Sequence, residues 1–287
     1  MSLIRHLLAS AGLLALAATA TAQPLTLDVY NPGEQGVFPV TSTLISGEHD
    51  AILVDAQFST REAQALVERI QASGKNLSRI FISHGDPDFY FGLDTLTQAF
   101  PKAKVMATPE TIAYIEKSRE AKLAYWGPIL KDSAPARTLV PEALSGDHLM
   151  LEDQRIELIG HDSKHTSLWI PSIKAVVGGV LTYANIHPWI ADAQTPQARQ
   201  AWLKSLDELE ALQPKTLIPG HYLSKPTFNL DDLRFTRDYL NDLEAELASA
   251  RDSQALIAAM TRKYPDLLDA SSLELSAKVL KGEMQWP

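Results

Sequence analysis

Cysteine is absent from the 287 residues. No disulfide can form, whatever the redox state of the compartment, and no thiolate can act as nucleophile or metal ligand. Positive charge is scarce: 26 Lys and Arg stand against 35 Asp and Glu, a formal net charge of −9. Nucleic-acid binding needs a basic patch to meet phosphate, and this balance argues against it. After residue 22 no apolar run approaches the roughly 20 residues that cross a bilayer, so no stable membrane span is expected there. Internal repeats, low-complexity tracts and an interdomain linker are missing too. Charged stretches such as Asp238 to Glu246 read as the solvated face of a helix.

The beginning of the chain has the form of a secretory leader. Arg5 and His6 precede the apolar Leu7 to Ala18, and Ala20-Thr21-Ala22 is a small-residue cleavage site before Gln23. A signal peptide over 1–22, cut after Ala22, makes the mature protein periplasmic or secreted. About 265 residues then remain, enough for one domain with a substantial core.

Patterning along those residues is α/β. Leu25 to Asp28 and Gly36 to Ile45 read as edge strands or a hairpin around the turn Asn31-Pro32-Gly33. Ser59 is placed to cap an amphipathic helix over Thr60 to Ala72. Helices are predicted over Asp94 to Phe100 and Pro109 to Tyr125, with a strand at Lys104 to Ala107 between them. A further helix from Thr195 to Gln213 aims Trp202, Leu206 and Leu209 at the core, and 231–287 is helical apart from a break at Pro265. Strands alternating with helices indicate packed α/β layers. The expected division is a body over 23–230 and a helical extension over 231–287 packed on the same domain.

Four short stretches carry the chemistry. The apolar Ile80-Phe81-Ile82-Ser83 runs into His84-Gly85-Asp86-Pro87-Asp88-Phe89, an imidazole and two carboxylates at the end of a strand. Taken alone this is also good turn chemistry. Ile52-Leu53-Val54 ends in Asp55. Ile156-Glu157-Leu158-Ile159 leads to Gly160-His161-Asp162-Ser163-Lys164-His165, and Thr216-Leu217-Ile218 closes on Pro219-Gly220-His221.

In this order the stretches resemble the motif series of the metallo-β-lactamase fold superfamily over roughly residues 40 to 225. The resemblance implies a four-layer αββα sandwich, here with a helical C-terminal tail. It also implies a metal site that departs from the family's. His84 matches the first ligand, Asp86 stands where the family has its second His, and Asp88 where it has its Asp. Phe89 replaces the last His of that loop. His161 and His165 match the third-loop histidines and His221 the final ligand, while the bridging Asp is expected at Gly179. His84, Asp86 and His161 complete one site; Asp88 and His221 are too few for a second unless His165 or His187 joins them.

One divalent ion is therefore expected, zinc first and manganese or iron as alternatives. The implied chemistry is a metal-bound hydroxide attacking a small ester, lactone, amide or related substrate, with Asp88 as orienting residue and general base. Asp55 is expected to hydrogen-bond a ligand from behind. His187 is open between ligand, substrate contact and structural residue. Trp126-Gly127-Pro128 is open between pocket-covering loop and packing. The alternative for the whole chain is a member that has lost catalysis and serves as a binding or scaffold module.

Overall fold

A computed structural model describes residues 23–160 and 166–286. The leader expected over 1–22 lies outside the described residues, as do His161 and His165.

The first sheet contains β1 (Thr26–Tyr30), β2 (Ser42–Ser46), β3 (Asp50–Val54), β4 (Asn76–Ile82), β5 (Lys104–Ala107) and β6 (Glu142–Ala143), side by side in that order. The β1–β2–β3 pairs are antiparallel and β3 to β6 are parallel, so the ends of β3 and β4 open on the same edge. A second sheet orders β12 (Thr216–Leu217), β10 (Ala175–Val177), β9 (Ser167–Ile170), β8 (Gln154–Ile159) and β7 (His148–Leu151). A small parallel pair joins β11 (Tyr183–Ala184) to β13 (His221–Tyr222).

Apolar side chains on the facing sides of the two sheets make one core, where Ile45, Ile52, Val54 and Phe81 meet Leu149, Ile156, Leu168 and Val177. The outer side of the first sheet is covered by α1 (Thr60–Ser73), α3 (Leu93–Ala99) and α4 (Pro109–Leu130). The second sheet is covered by α5 (Pro196–Ala211), α6 (Leu230–Ser249), α7 (Ser253–Lys263) and α8 (Ala270–Leu280). A four-residue helix, α2 (Pro87–Tyr90), sits in the loop after β4. The result is the αββα sandwich, with the C-terminal helices in its fourth layer.

Local rules explain most boundaries. Ser59 caps α1 through a reciprocal box: its hydroxyl accepts the Glu62 N–H, and the Glu62 carboxylate accepts the Ser59 N–H at 2.9 Å. Gly74, at φ 66°, ends that helix in the left-handed conformation. Two of the boundaries that differ from the sequence expectation bear on the site. The strand expected from Gly36 starts only at Ser42, because Pro39 has no N–H for a ladder and Val40 pairs instead with His221. The helix expected to stop at Tyr125 runs to Leu130. Trp126-Gly127-Pro128 is thus part of a helix and not a covering loop, and Trp126 packs edge-on against Phe38 and Phe58.

Candidate active site

The site begins with a clamp between the sheets. Asp55 follows β3 at φ 63° and is fully buried. Its carboxylate accepts the Ser83 N–H at 2.8 Å and the Ser83 hydroxyl at 2.7 Å. The Ser83 oxygen in turn accepts the Gly179 N–H at 2.8 Å. Asp55, expected to grip a ligand, instead grips the residue before His84 and, through it, the loop after β10. Burial raises its carboxyl to about 7, against the pull of the two Ser83 hydrogen bonds.

The same loop explains the missing bridging carboxylate. Gly178 and Gly179 have φ 76° and 82°. A Cβ on Gly179 would lie 2.5 Å from both the Ser167 hydroxyl and the Thr166 carbonyl oxygen. No side chain fits there with the backbone as it stands.

Beyond the clamp, four polar side chains form two pairs. His84 Nε2 lies 2.9 Å from Asp86 Oδ2, and His221 Nε2, at the start of β13, lies 2.9 Å from Asp88 Oδ2. His84, Asp88 and His221 are buried. Pro87 opens α2 at the position where its missing N–H costs nothing, which sets Asp86 and Asp88 on either side of it. The Phe89 ring stands edge-on to both imidazoles, 5.1 Å from His84 and 5.5 Å from His221, at the position where the resemblance puts the loop's last His. Tyr183 stacks on His221 at 5.3 Å. The Nδ1 atoms of both histidines are buried and have no hydrogen-bond partner among the described residues.

Asp86 has a second set of partners. Its Oδ1 accepts the Lys122 ammonium and, at 3.3 Å, the Tyr114 hydroxyl, both from α4. Lys122 also donates to the Tyr114 oxygen at 3.2 Å and lies 4.4 Å over that ring. Burial alone would raise the Asp86 carboxyl; the His84 ring and then Lys122 outweigh it and hold the carboxyl well below its ordinary range. For His84 burial pulls downward, and the Asp86 carboxylate beside it wins and raises the imidazole.

His187 is placed elsewhere. Its Nδ1 is 2.9 Å from the Tyr239 hydroxyl of α6, its N–H donates to Leu268 O, and burial lowers its pKa. Among the described residues no group of three or more His, Asp or Glu side chains is placed to hold a metal ion; His161 and His165 are outside that set.

Lys122, Tyr114, Ser83 and Asp192 carry functional geometry that motif reading passed over. The signal for α4 was there: Tyr114, Ser118, Lys122 and Trp126 recur at every fourth residue, a stripe on one helix side. Asp192 accepts the indole N–H groups of Trp189 and Trp286, at 2.7 and 2.9 Å. Asp192 is exposed, yet the protein around it and then the charge of Asp86 raise its carboxyl, which places it within electrostatic reach of the pairs.

The profile of the metallo-beta-lactamase superfamily matches residues 35–221. The chain belongs to that superfamily. As a metallo-β-lactamase-fold protein it joins a group whose members are generally hydrolases and typically bind divalent metals. A metallo-beta-lactamase family protein from Thermus thermophilus superposes with a TM-score of 0.62 at 18% identity, covering 89% of this chain and 93% of that one. A beta-lactamase domain protein from Burkholderia ambifaria gives 0.60 at 17% identity, covering 93% and 88%. These likenesses concern the fold. In sequence, the uncharacterized protein YobT of Bacillus subtilis (strain 168) is 36% identical over 70 residues, 24% of this chain and 30% of YobT. The match thus spans under a third of that relative's length.

Proposed function

We propose that this metallo-β-lactamase-fold protein is an exported hydrolase working with one divalent ion, held by His84, Asp86 and His161. Zinc is the first choice, with manganese or iron as alternatives, and the substrate is a small ester, lactone, amide or related molecule. The observation that carries the reading is the convergence of four polar side chains, from stretches more than a hundred residues apart, into two pairs at 2.9 Å. Buried polar groups are normally matched, and the two imidazole nitrogens left without a partner among the described residues mark a place where ordinary packing rules are relaxed.

The donor set favours one ion over two, with a third donor still required from outside the described residues. His84 Nε2 and Asp86 Oδ2 face one another, and His161 would supply the third ligand of an open site. Around Asp88 and His221 the Phe89 ring and the side-chain-free Gly179 leave two donors. An ion held at His84 and Asp86 would supply Lewis acidity to water and carbonyl. The chain's own residues do the rest. Asp88 would take a proton from the attacking water and return it to the departing oxygen or nitrogen as the acyl bond breaks, while the His221 Nε2–H holds the carboxylate in place. Tyr183, stacked on His221, keeps the ring from rotating. Phe38, Trp126 and Trp189 meet edge-to-face and supply apolar surface beside the substrate.

The test is metal per chain by plasma mass spectrometry, on untagged protein made with its leader and purified without chelator. Near one equivalent is expected, lost together with activity on a lactone and ester panel in His84→Ala, and the purified chain should begin at Gln23. Unchanged activity in that variant sinks the metal reading, and a retained Met1 sinks export.

A second reading is a catalytically retired member acting as a binding module. It is favoured by the Lys122 ammonium on Asp86, an ion pair that satisfies the carboxylate without metal. Absence of metal at excess ion, together with an inert substrate panel, would select it.

A further inference from the structure

Asp192 is an anion without a counter-charge. Its carboxylate accepts the indole N–H groups of Trp189 and Trp286 and forms no ion pair among the described residues. A carboxylate has room for about four hydrogen bonds, so acceptor capacity remains. The residue is exposed and both indoles are half-buried, so water alone could satisfy all three groups and packing does not demand the carboxylate there. The rings are held in place. Gln194 Nε2 donates to the Trp286 carbonyl at 3.1 Å, and the two indoles meet at 68° with centroids 5.3 Å apart. Phe38 meets Trp189 at 77°. The indoles turn their polar edges to Asp192, and rings at such angles present their faces, which are electron-rich, in different directions. The charge of this corner is felt at the pairs. Burial, then Asp86 and then Asp192, raises the Tyr114 hydroxyl; burial, then Asp88 and then Asp192, raises that of Tyr183. The first of these side chains touches Asp86 and the second stacks on His221.

We propose that Asp192, with Trp189 and Trp286, forms a subsite for an alkylammonium group carried by the small molecule this protein takes. Calling that molecule a substrate rests on the hydrolase reading above; the cation subsite stands without it. Charge and ring faces favour the same ligand. The faces of indole attract a cation within about 6 Å, and the carboxylate adds a full opposite charge. An anionic group would meet a carboxylate that no described cation offsets, and a neutral group would gain apolar contact alone. The protein around Asp192, and then Asp86, oppose the charge on its carboxyl, and a bound cation offsets that cost. The formal net charge of −9 adds a long-range pull on cations.

The experiment is isothermal titration calorimetry of the full mature chain with two probes of one shape. Choline carries the quaternary nitrogen, and dimethylbutanol, its neutral analogue, has carbon in that place. The proteins are wild type, Asp192→Asn and Trp189→Leu, each first checked for folding by circular dichroism. Asp192→Asn keeps an oxygen for an indole N–H and removes only the charge; Trp189→Leu removes a ring face, and either variant alone suffices if the other fails to fold. Wild type is expected to bind choline about tenfold tighter than dimethylbutanol or more, and both variants to lose most of that preference. Equal binding of the two probes overturns the proposal and leaves an apolar surface. Binding of neither overturns it, and so does a preference that survives both substitutions. None of these results touches the hydrolase reading, which metal content and the ester panel decide. Conversely, choline binding with an inert panel keeps the subsite and gives it to a binding module.

Discussion

Phe89 and Gly179 define this site at the scale of single residues. Each occupies a position where the superfamily resemblance places a ligand, and each is fitted to its surroundings. Phe89 is buried between two imidazoles. Gly179 has both a positive φ and neighbours too close for a Cβ. Restoring the bridging carboxylate is therefore not a matter of one substitution. Gly179→Asp is expected to cost at least about 2 kcal/mol, from left-handed backbone strain and the clash with Thr166 and Ser167. It should add no second metal equivalent. Urea denaturation and metal content check this; a variant of wild-type stability carrying an extra ion would show that the loop can open. The substitutions themselves were legible in the sequence, as Phe89 and Gly179 at their places in the motif series. The steric reason for Gly179 was not, because Thr166 and Ser167 approach it only across the β9–β10 pair.

Elements come together through Asp55. The end of β3, the end of β4 and the loop after β10 are tied by one carboxylate and one hydroxyl. With its carboxyl raised to about 7, the folded protein keeps Asp55 protonated at pH values where the unfolded chain has released the proton. Its contribution is complete below about pH 4 and is lost as pH rises through about 7. Asp55→Asn stays neutral and removes this slope. Unfolding free energies of the two proteins, compared at about pH 5 and about pH 8, should shift in favour of the Asn variant at the higher pH. A gap independent of pH would mean that Asp55 is ionised throughout. Sequence reading reached the element and its terminal carboxylate but assigned it to a ligand. Ser83, a small hydroxyl beside a histidine, gives no periodic or motif signal of its own. Lys122 lies 36 residues beyond Asp86, on a helix stripe that can be read from the sequence, but which way the stripe faces depends on packing.

In the whole molecule, the αββα order was legible because alternating strands and helices admit few layered solutions. How the fourth layer supports the site was not. Tyr183 N–H donates to Thr236 of α6, His187 meets Tyr239, and Ile190 N–H donates to Ser276 of α8. The C-terminal helices thus hold the segment that runs from Gly179 to Asp192. A chain ending at Ser249 would uncover Leu240 and Leu243, which pack in one cluster with Leu256, Met260, Leu273 and Ala277. Without any cysteine, only packing is available to compensate. Removing α7 and α8 should abolish cooperative thermal unfolding followed by circular dichroism. A truncated chain that melts at the wild-type midpoint would show that the body is self-sufficient.

The clustered indoles have an optical consequence. Of five tryptophans, Trp126, Trp189 and Trp286 belong to one aromatic contact chain through Phe38, and two of them donate to Asp192. Indole emission responds to nearby charge and to the polarity of its surroundings. The molecule therefore carries an intrinsic fluorescent reporter around Asp192, and a change in the surroundings of that carboxylate can be followed as an emission change in the unlabelled chain.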